Sequence, residues 1–456
     1  MDGSAIFVAT SSMPPLPRDD SPTQSPVWRR LFPRAGAWPI ALLTVTGIVL
    51  GSALSPLQPI RDAATFEPVQ EVVLRRPIGY VLLAPVSDVL DTLTLLSARQ
   101  HIALLATILV VYAAWWVFVG RRSLRTIPPR RRVLREVARI GVGLVLLVAI
   151  YFAGILMPRP MAALEAATEL IVVDFHTHTK YSHDGRPDWT PEDVRTWHRD
   201  AGFDVAYISD HRTFEGARDA WANNPELAAQ RTVLIPAIEV SWRGEHVNVL
   251  DADRRYRGLL TPTLRDIDES ALRLASLLPG NEPVLVETLP GQIDRAPSAS
   301  GPGTPGIRAI EVIDGAPQGL GQARRERRAI VHLADSANLA LVAGSNHHGW
   351  GHASAGWTLM FIPGWRAASP GELSAEISKA IRTAGRKSTR VAERYVANTE
   401  SAQLLPFTVP AVAWGMFRTM SGDERVVWIV WLVALYAISR IRGARRRARE
   451  PRPASV

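Results

Sequence analysis

Charge all but disappears from the chain in four long stretches, residues 37–57, 102–120, 140–157 and 426–441. Crossing a hydrocarbon core takes about 20 apolar residues in a helix, so the pattern predicts about four transmembrane helices. Two further apolar stretches are interrupted. Residues 78–96 contain Asp88 and Asp91, and residues 404–420 contain Pro406, Pro410 and Arg418. Carboxylates inside a membrane are costly, so the first reads as an interfacial or re-entrant helix; the prolines and arginine of the second mark it as a membrane-surface segment.

From Leu170 the pattern changes to short apolar runs separated by helical periodicity. Ile171-Val-Val-Asp-Phe, Val205-Ala-Tyr-Ile-Ser, Val233-Leu-Ile-Pro-Ala-Ile, Val284-Leu-Val, Ile307-Arg-Ala-Ile-Glu-Val-Ile and Leu339-Ala-Leu-Val-Ala read as strands. Thr190-Pro-Glu-Asp opens a helix with a hydroxyl cap, Pro at the first position and acid in the first turn, and Gly202 closes it. Another helix is expected over Gln322 to Asn338, and a Pro/Gly/Ser-rich loop over 280–306. Repeated strand–helix units predict an α/β domain on a parallel sheet, open or closed.

Composition changes the picture in two ways. Cysteine is absent, which excludes disulfides and thiolate metal sites. The net charge of +9 raises the question of nucleic acid, but the excess lies in Arg121 to Arg139 and Arg440 to Arg449, beside the apolar runs. That placement gives no strong nucleic-acid-binding signal and reads instead as membrane orientation, because cytoplasmic flanks gather Lys and Arg. Arg29 to Arg34, the 121–139 block and the C-terminal arginines then all face the cytoplasm.

The resulting organisation is a disordered cytoplasmic N-terminus (1–36) and a membrane region (37–169) carrying three spans. A hydrolase-like domain (170–397) follows, then a membrane-proximal segment (398–425), a last span (426–441) and a basic cytoplasmic tail (442–456). The expected location is a multi-pass cell (inner) membrane protein with both termini inside, the large domain outside and the lipid bilayer as its first partner.

The candidate chemistry sits at strand ends. His176 and His178 are at i and i+2 on the first strand, so both imidazoles project to one face. Ser209-Asp210-His211 follows the second strand, Glu239 ends the third, His246 lies in Gly-Glu-His-Val-Asn, and Ser345-Asn-His-His-Gly follows Leu341-Val-Ala-Gly. Histidine and carboxylate gathered at the C-terminal ends of strands is the arrangement of an α/β-barrel active site, and imidazole with carboxylate suits zinc, manganese or iron. His198 and His332, both mid-helix, read as surface or packed residues.

Asp174-Phe-His-Thr-His-Thr-Lys-Tyr-Ser-His-Asp-Gly, then Ile-Ser-Asp-His, Ala-Ile-Glu and Gly-Ser-Asn-His-His resemble the ordered motifs of the PHP (polymerase and histidinol phosphatase) superfamily over about half the chain. The resemblance implies a distorted seven-stranded (β/α) barrel, two or three divalent metal ions and phosphoester hydrolysis. It implies His176, His178, Asp184, His211, Glu239, Asn346 and His348 as ligands, with His183, Asp210, Glu287 and His347 as further candidates. His246 and His348 are candidate acids for the leaving group, and Arg212 and Arg243 candidate grips on phosphate. The substrate would be a phosphorylated small molecule, a nucleotide or a polymer.

Two departures stand out. Asn346 occupies a position where relatives carry Asp, and Val-Glu287-Thr-Leu-Pro290 replaces a His-Pro pair. Two other readings fit the same residues: a non-catalytic metal-binding membrane sensor, and an amidohydrolase-type metallohydrolase.

Overall fold

Strands and helices alternate as expected through much of the computed structural model, which describes residues 38–120, 129–289 and 304–449. The strands are β1 (Ile60–Asp62), β2 (Val72–Arg75), β3 (Ala163–Ala166), β4 (Leu170–Thr177), β5 (Val205–Ile208), β6 (Val233–Trp242), β7 (Glu245–Leu250), β8 (Leu285–Glu287), β9 (Ile307–Asp314), β10 (Ala340–Gly344), β11 (Gly356–Phe361) and β12 (Thr389–Arg394). Ten of them form one sheet in the order β1-β12-β11-β4-β5-β6-β7-β8-β9-β10, and β2 pairs with β3 separately.

The sheet is mixed, where the strand–helix alternation predicted parallel pairing throughout. Parallel pairs join β4 to β5 to β6 and β8 to β9 to β10. The chain between β6 and β7 has no helix. Arg243 and Gly244 both take positive φ, 54° and 88°, and close a two-residue hairpin in which Trp242 pairs with Glu245. Such a turn favours Gly at its second position and returns the chain antiparallel. β11 and β12 likewise pair antiparallel beside β4.

β4 is buried on both faces apart from its first residue. Ile171 and Val173 pack with Val205, Ile235 and Val342 and with Ile377 of the helix Pro370–Ala384. The sheet curls until the loop after β10 returns to β4: Asn346 N–H donates to the His176 carbonyl at 2.8 Å, and His178 N–H to the His347 carbonyl at 3.1 Å. This curl brings the first and last motifs of the domain together. The helix after β4, Pro191–Ala201, forms where its caps predict, with a Thr190/Asp193 capping box and left-handed Gly202.

The sheet also reaches outside residues 170–397. β1 pairs with β12, with Asp62 opposite Ala392. Arg324 donates to Gln100 at 2.8 Å, and Ser97 Oγ contacts Glu400.

Among the described residues two helical stretches are long and apolar enough to cross a membrane, Ala98–Phe118 and Val133–Leu156. Their apolar side chains face outward (Ile102, Leu109, Val142 and Val145 are all more than 60% exposed), whereas a core helix would bury that surface. The other two expected spans correspond to a 15-residue helix, Trp38–Ser52, and a 28-residue helix, Gly422–Arg449, neither of which meets that test. The expected N-terminal segment 1–36, the arginines at 121, 122 and 125, and the end of the basic tail lie outside the described residues. Residues 78–96 form two short helices, Ile78–Leu82 and Ala84–Thr94, with Asp88 and Asp91 buried. Residues 408–419 form a helix whose Phe417 packs with Val49 of Trp38–Ser52.

Candidate metal centre

β4 stops at Thr177, and its last residues carry two imidazoles into the space inside the curl. His176 Nε2 and His178 Nε2 stand 2.9 Å apart, and His176 Nε2 is 2.9 Å from Glu239 Oε2. The same carboxylate oxygen is 3.4 Å from His178 Nε2 and 3.4 Å from His211 Nε2. Three imidazole nitrogens from the ends of two strands, β4 and β5, thus converge on one oxygen carried by a third, β6. Glu239 is at this point because β6 runs on past the end of β5, where a bridge pairs it with His211.

The cluster continues outward. Asp184 lies 3.7 Å from His211 and 3.4 Å from His348. His348 stacks on His178 with centroids 4.1 Å apart. His246, half-exposed on β7, contacts Glu239 Oε1 at 2.8 Å. His176, His178 and Glu239 form one group compact enough for a metal ion, His178, Asp184 and His211 a second, and His211, Glu239 and His246 a third. His246 therefore stands among potential ligands as well as at the mouth of the site.

Two carboxylates that the sequence analysis did not single out complete the centre. Glu311 Oε1 on β9 contacts His176 Nδ1 at 2.9 Å, which leaves Nε2 turned toward His178 and Glu239, the usual pairing that orients a ligating imidazole. Gly344 makes room for it: a Cβ there would meet Glu311 Oε1 at 2.3 Å and His176 Cβ at 2.6 Å. Asp314, at the end of β9, accepts from Asn346 Nδ2 at 3.1 and 3.2 Å. The signal available was an acidic residue inside an otherwise apolar strand, Ile-Glu-Val-Ile-Asp.

His198 also proves to be a buried partner. Its Nε2 contacts Asp174 Oδ2 at 2.7 Å and its Nδ1 contacts the Val194 carbonyl at 2.7 Å. The other Asp174 oxygen accepts from Ser345 N–H at 2.8 Å and His176 N–H at 3.2 Å. His198 thereby fixes the junction between β4 and the final motif.

Several sequence candidates are not brought into the cluster. Both oxygens of Asp210 bind Thr179, its backbone N–H and its hydroxyl each at 2.6 Å. His347 is buried, stacked on Trp197 at 4.2 Å and accepting from Gly349 N–H. His183 is exposed at the outer margin of the cluster, 3.9 Å from Asp184 and edge-on to the His211 ring with centroids 5.0 Å apart. Glu287 is buried with neither oxygen partnered; it pairs opposite Val247, while the next residue, Thr288, faces Glu239 at 3.5 Å. Pro290 of the same motif lies outside the described residues. Arg212 is exposed, and Arg243 is engaged by Glu269 at 2.8 Å. Asn346 Oδ1 faces His348 Nε2 at 2.9 Å, so both ends of this amide serve as hydrogen-bond partners.

The electrostatics are those of a site built for cations. Burial opposes protonation of His176, but Glu239 and Glu311 beside it hold its pKa well above the usual imidazole range. Burial pushes His178 down to about 3 and Glu311 up to about 8. Burial works against ionised Glu239 too, yet His176 and the other imidazoles hold it well below the carboxylate range. No arginine or lysine pairs with Glu239, Glu311, Asp314 or Asp184 among the described residues. Buried lone pairs focused on one another with no fixed cation fit a divalent ion bound by imidazole and carboxylate.

No family model matches the chain, and no curated protein matches it. Among solved structures, PsfC from Pseudomonas syringae is similar at 16% identity, covering 55% of this chain and 98% of its own, with a TM-score of 0.33. A two-domain Bacteroides vulgatus protein containing a predicted PHP-like metal-dependent phosphoesterase is similar at 13% identity, covering 52% and 70%, with a TM-score of 0.30. The lesion-specific endonuclease PfuEndoQ from Pyrococcus furiosus is similar at 14% identity, covering 47% and 56%, with a TM-score of 0.34. Likenesses this remote leave the chemistry of the chain to be read from its own side chains.

Proposed function

We propose that the chain is a membrane-anchored, metal-dependent phosphoesterase of the PHP type, with a distorted barrel-like domain outside the cell membrane. The observation that carries the chemistry is the convergence of His176, His178 and His211 on one oxygen of Glu239. These four residues, with Asp184, would hold two or three divalent ions. His246 and His348 stand at the rim as further ligands or as proton donors. Bound divalent ions supply Lewis-acid polarisation of a phosphoryl oxygen and of the attacking water.

The side chains themselves do the rest. Glu311 and His198 orient His176 and Asp174 through buried hydrogen bonds. Asn346 spans from Asp314 to His348 and sets the imidazole's position. His246, held by Glu239 and 59% exposed at the side chain, can pass a proton to a leaving oxygen that enters from solvent. An amidohydrolase with a carboxylated lysine is less well supported, because the motif's own lysine, Lys180, is exposed and stands over the Tyr181 ring.

The test is metal content of the purified full-length protein together with a screen of phosphomonoesters and phosphodiesters. About two bound transition metals per chain and metal-dependent release of phosphate or alcohol are expected. Metal without hydrolysis of any ester would favour a sensor instead, and absence of both would overturn the reading.

The anchoring reading rests on parity as well as charge. The pairing of β1 with β12 supports residues 58–101 lying on the same side as the large domain. The helices Ala98–Phe118 and Val133–Leu156 would then leave and return across the membrane, with the 121–139 arginines on its cytoplasmic side. Reporter fusions at about residues 128, 250 and 450 are expected to read inside, outside and inside. An inside reading at 250 would refute the topology.

A further inference from the structure

A cavity of about 320 Å³ opens beside the metal centre. Asn346 and His348 are among its lining residues, with Leu93, Ile150, Ile155 and Ala353. Its size is within the range of about 300–1,000 Å³ typical of small-molecule sites. The polar pair in the wall satisfies itself, since His101 Nδ1 and the Tyr151 hydroxyl are 2.8 Å apart. What remains exposed to an occupant is mostly hydrocarbon.

The position of this cavity along the helices matters more than its size. His101 lies in the first turn of Ala98–Trp115, and residues 150–155 lie in the last turns of Pro129–Leu156. Both are the ends nearest the domain. Gly351 N–H donates to the Ile155 carbonyl at 3.0 Å, so the loop bearing His348 is fastened to the second helix. Beyond the cavity the same two helices present apolar side chains outward. An amphiphile lying beside them would carry its polar head at the level of the metal centre.

Resting on the membrane-anchored phosphoesterase reading, we infer that the substrate is an amphiphilic phosphoester, with its phosphate at the metal centre by His348 and Asn346 and the first part of its hydrocarbon tail in this cavity. A water-soluble phosphoester would leave the apolar walls facing solvent at the mouth of the site.

The experiment uses full-length protein in lipid nanodiscs and a series of 4-nitrophenyl alkyl phosphates from ethyl to octyl, below their micelle concentrations. Leu93→Trp and Ala353→Phe fill the cavity from two different segments of its lining, and neither residue is a proposed ligand. A buried methylene is worth up to about fourfold in kcat/KM, so at least a roughly tenfold rise from ethyl to octyl is expected in the wild type. Both variants should lose most of that rise while keeping metal content and, within about twofold, the ethyl ester rate. Partitioning into the bilayer would raise wild type and variants alike; that result, or no rise at all, overturns the tail site while leaving the phosphoesterase standing. Binding of ethyl- to octylphosphonate by the metal-free protein is read in parallel. If no ester is hydrolysed, the enzymatic reading fails by itself, and chain-length-dependent binding that both fillings abolish still supports the tail site. Binding independent of chain length overturns it.

Discussion

Glu239→Gln is expected to strip the centre of tightly held metal and to bring hydrolysis to background, with the fold retained. The substitution keeps size and shape but replaces the oxygen on which three imidazoles converge. One position of the amide becomes an NH2 group, which donates hydrogen bonds and cannot ligate a cation, and the remaining oxygen is neutral. His246 and Thr288 also lose the charged partner they share at Oε1. Residues that only orient a ligand cost about 10–100-fold in metal affinity when removed. A member of two of the three candidate ligand groups should cost more than that. His198→Ala provides the internal comparison, because His198 contacts no ligand and acts through Asp174; its effect should remain within the 10–100-fold range. Metal stoichiometry, activity on a short phosphodiester and the circular dichroism spectrum, measured side by side, decide the matter. Glu239→Gln with full metal and full rate would remove the cluster from consideration as the active centre.

The parts of this centre legible in the sequence were those that local periodicity fixes. His176 and His178 share a face because a strand repeats every two residues, and Glu239 ends an apolar run long enough to be a buried strand. Glu311 and Asp314 were not legible, because their contacts with His176 and Asn346 depend on the curl that brings β9 and β10 round to β4. His198 was read as a surface or packed residue, and it is buried; its bond to Asp174 depends on how the helix lies across the strand. Asp210 looked like a ligand from its neighbours, but the Thr179 turn takes both its oxygens. The hairpin between β6 and β7 was written in Arg243-Gly244 all the same, as a residue followed by glycine between apolar runs. Three-residue β1 carries too little pattern to be found at all.

Asp91→Ala is expected to lower stability by about 3–5 kcal/mol, the usual cost of breaking a buried ion pair from one side. The carboxylate accepts from Arg159 Nη2 at 2.8 Å, from Arg394 Nη1 at 2.8 Å and from the Tyr80 hydroxyl at 3.0 Å. Arg159 is 1% exposed and Arg394 11% at the side chain, so neither guanidinium can turn to bulk water when its partner goes. The three elements joined here are unrelated in sequence: the helix Ala84–Thr94, the segment after the second apolar helix, and β12 of the main sheet. Arg159 also donates to the Gly154 carbonyl at 3.0 Å, so the joint holds the end of the apolar helix that walls the cavity. Asp91→Asn keeps one acceptor oxygen without the charge and should fall between wild type and Ala. The measurement is the thermal or denaturant midpoint of the full-length protein in one fixed lipid environment. An Asp91→Ala variant within about 1 kcal/mol of wild type would place this network with exposed ion pairs, which contribute little. The domain would then be held to the apolar helices chiefly by packing and by contacts such as that of Arg324 with Gln100.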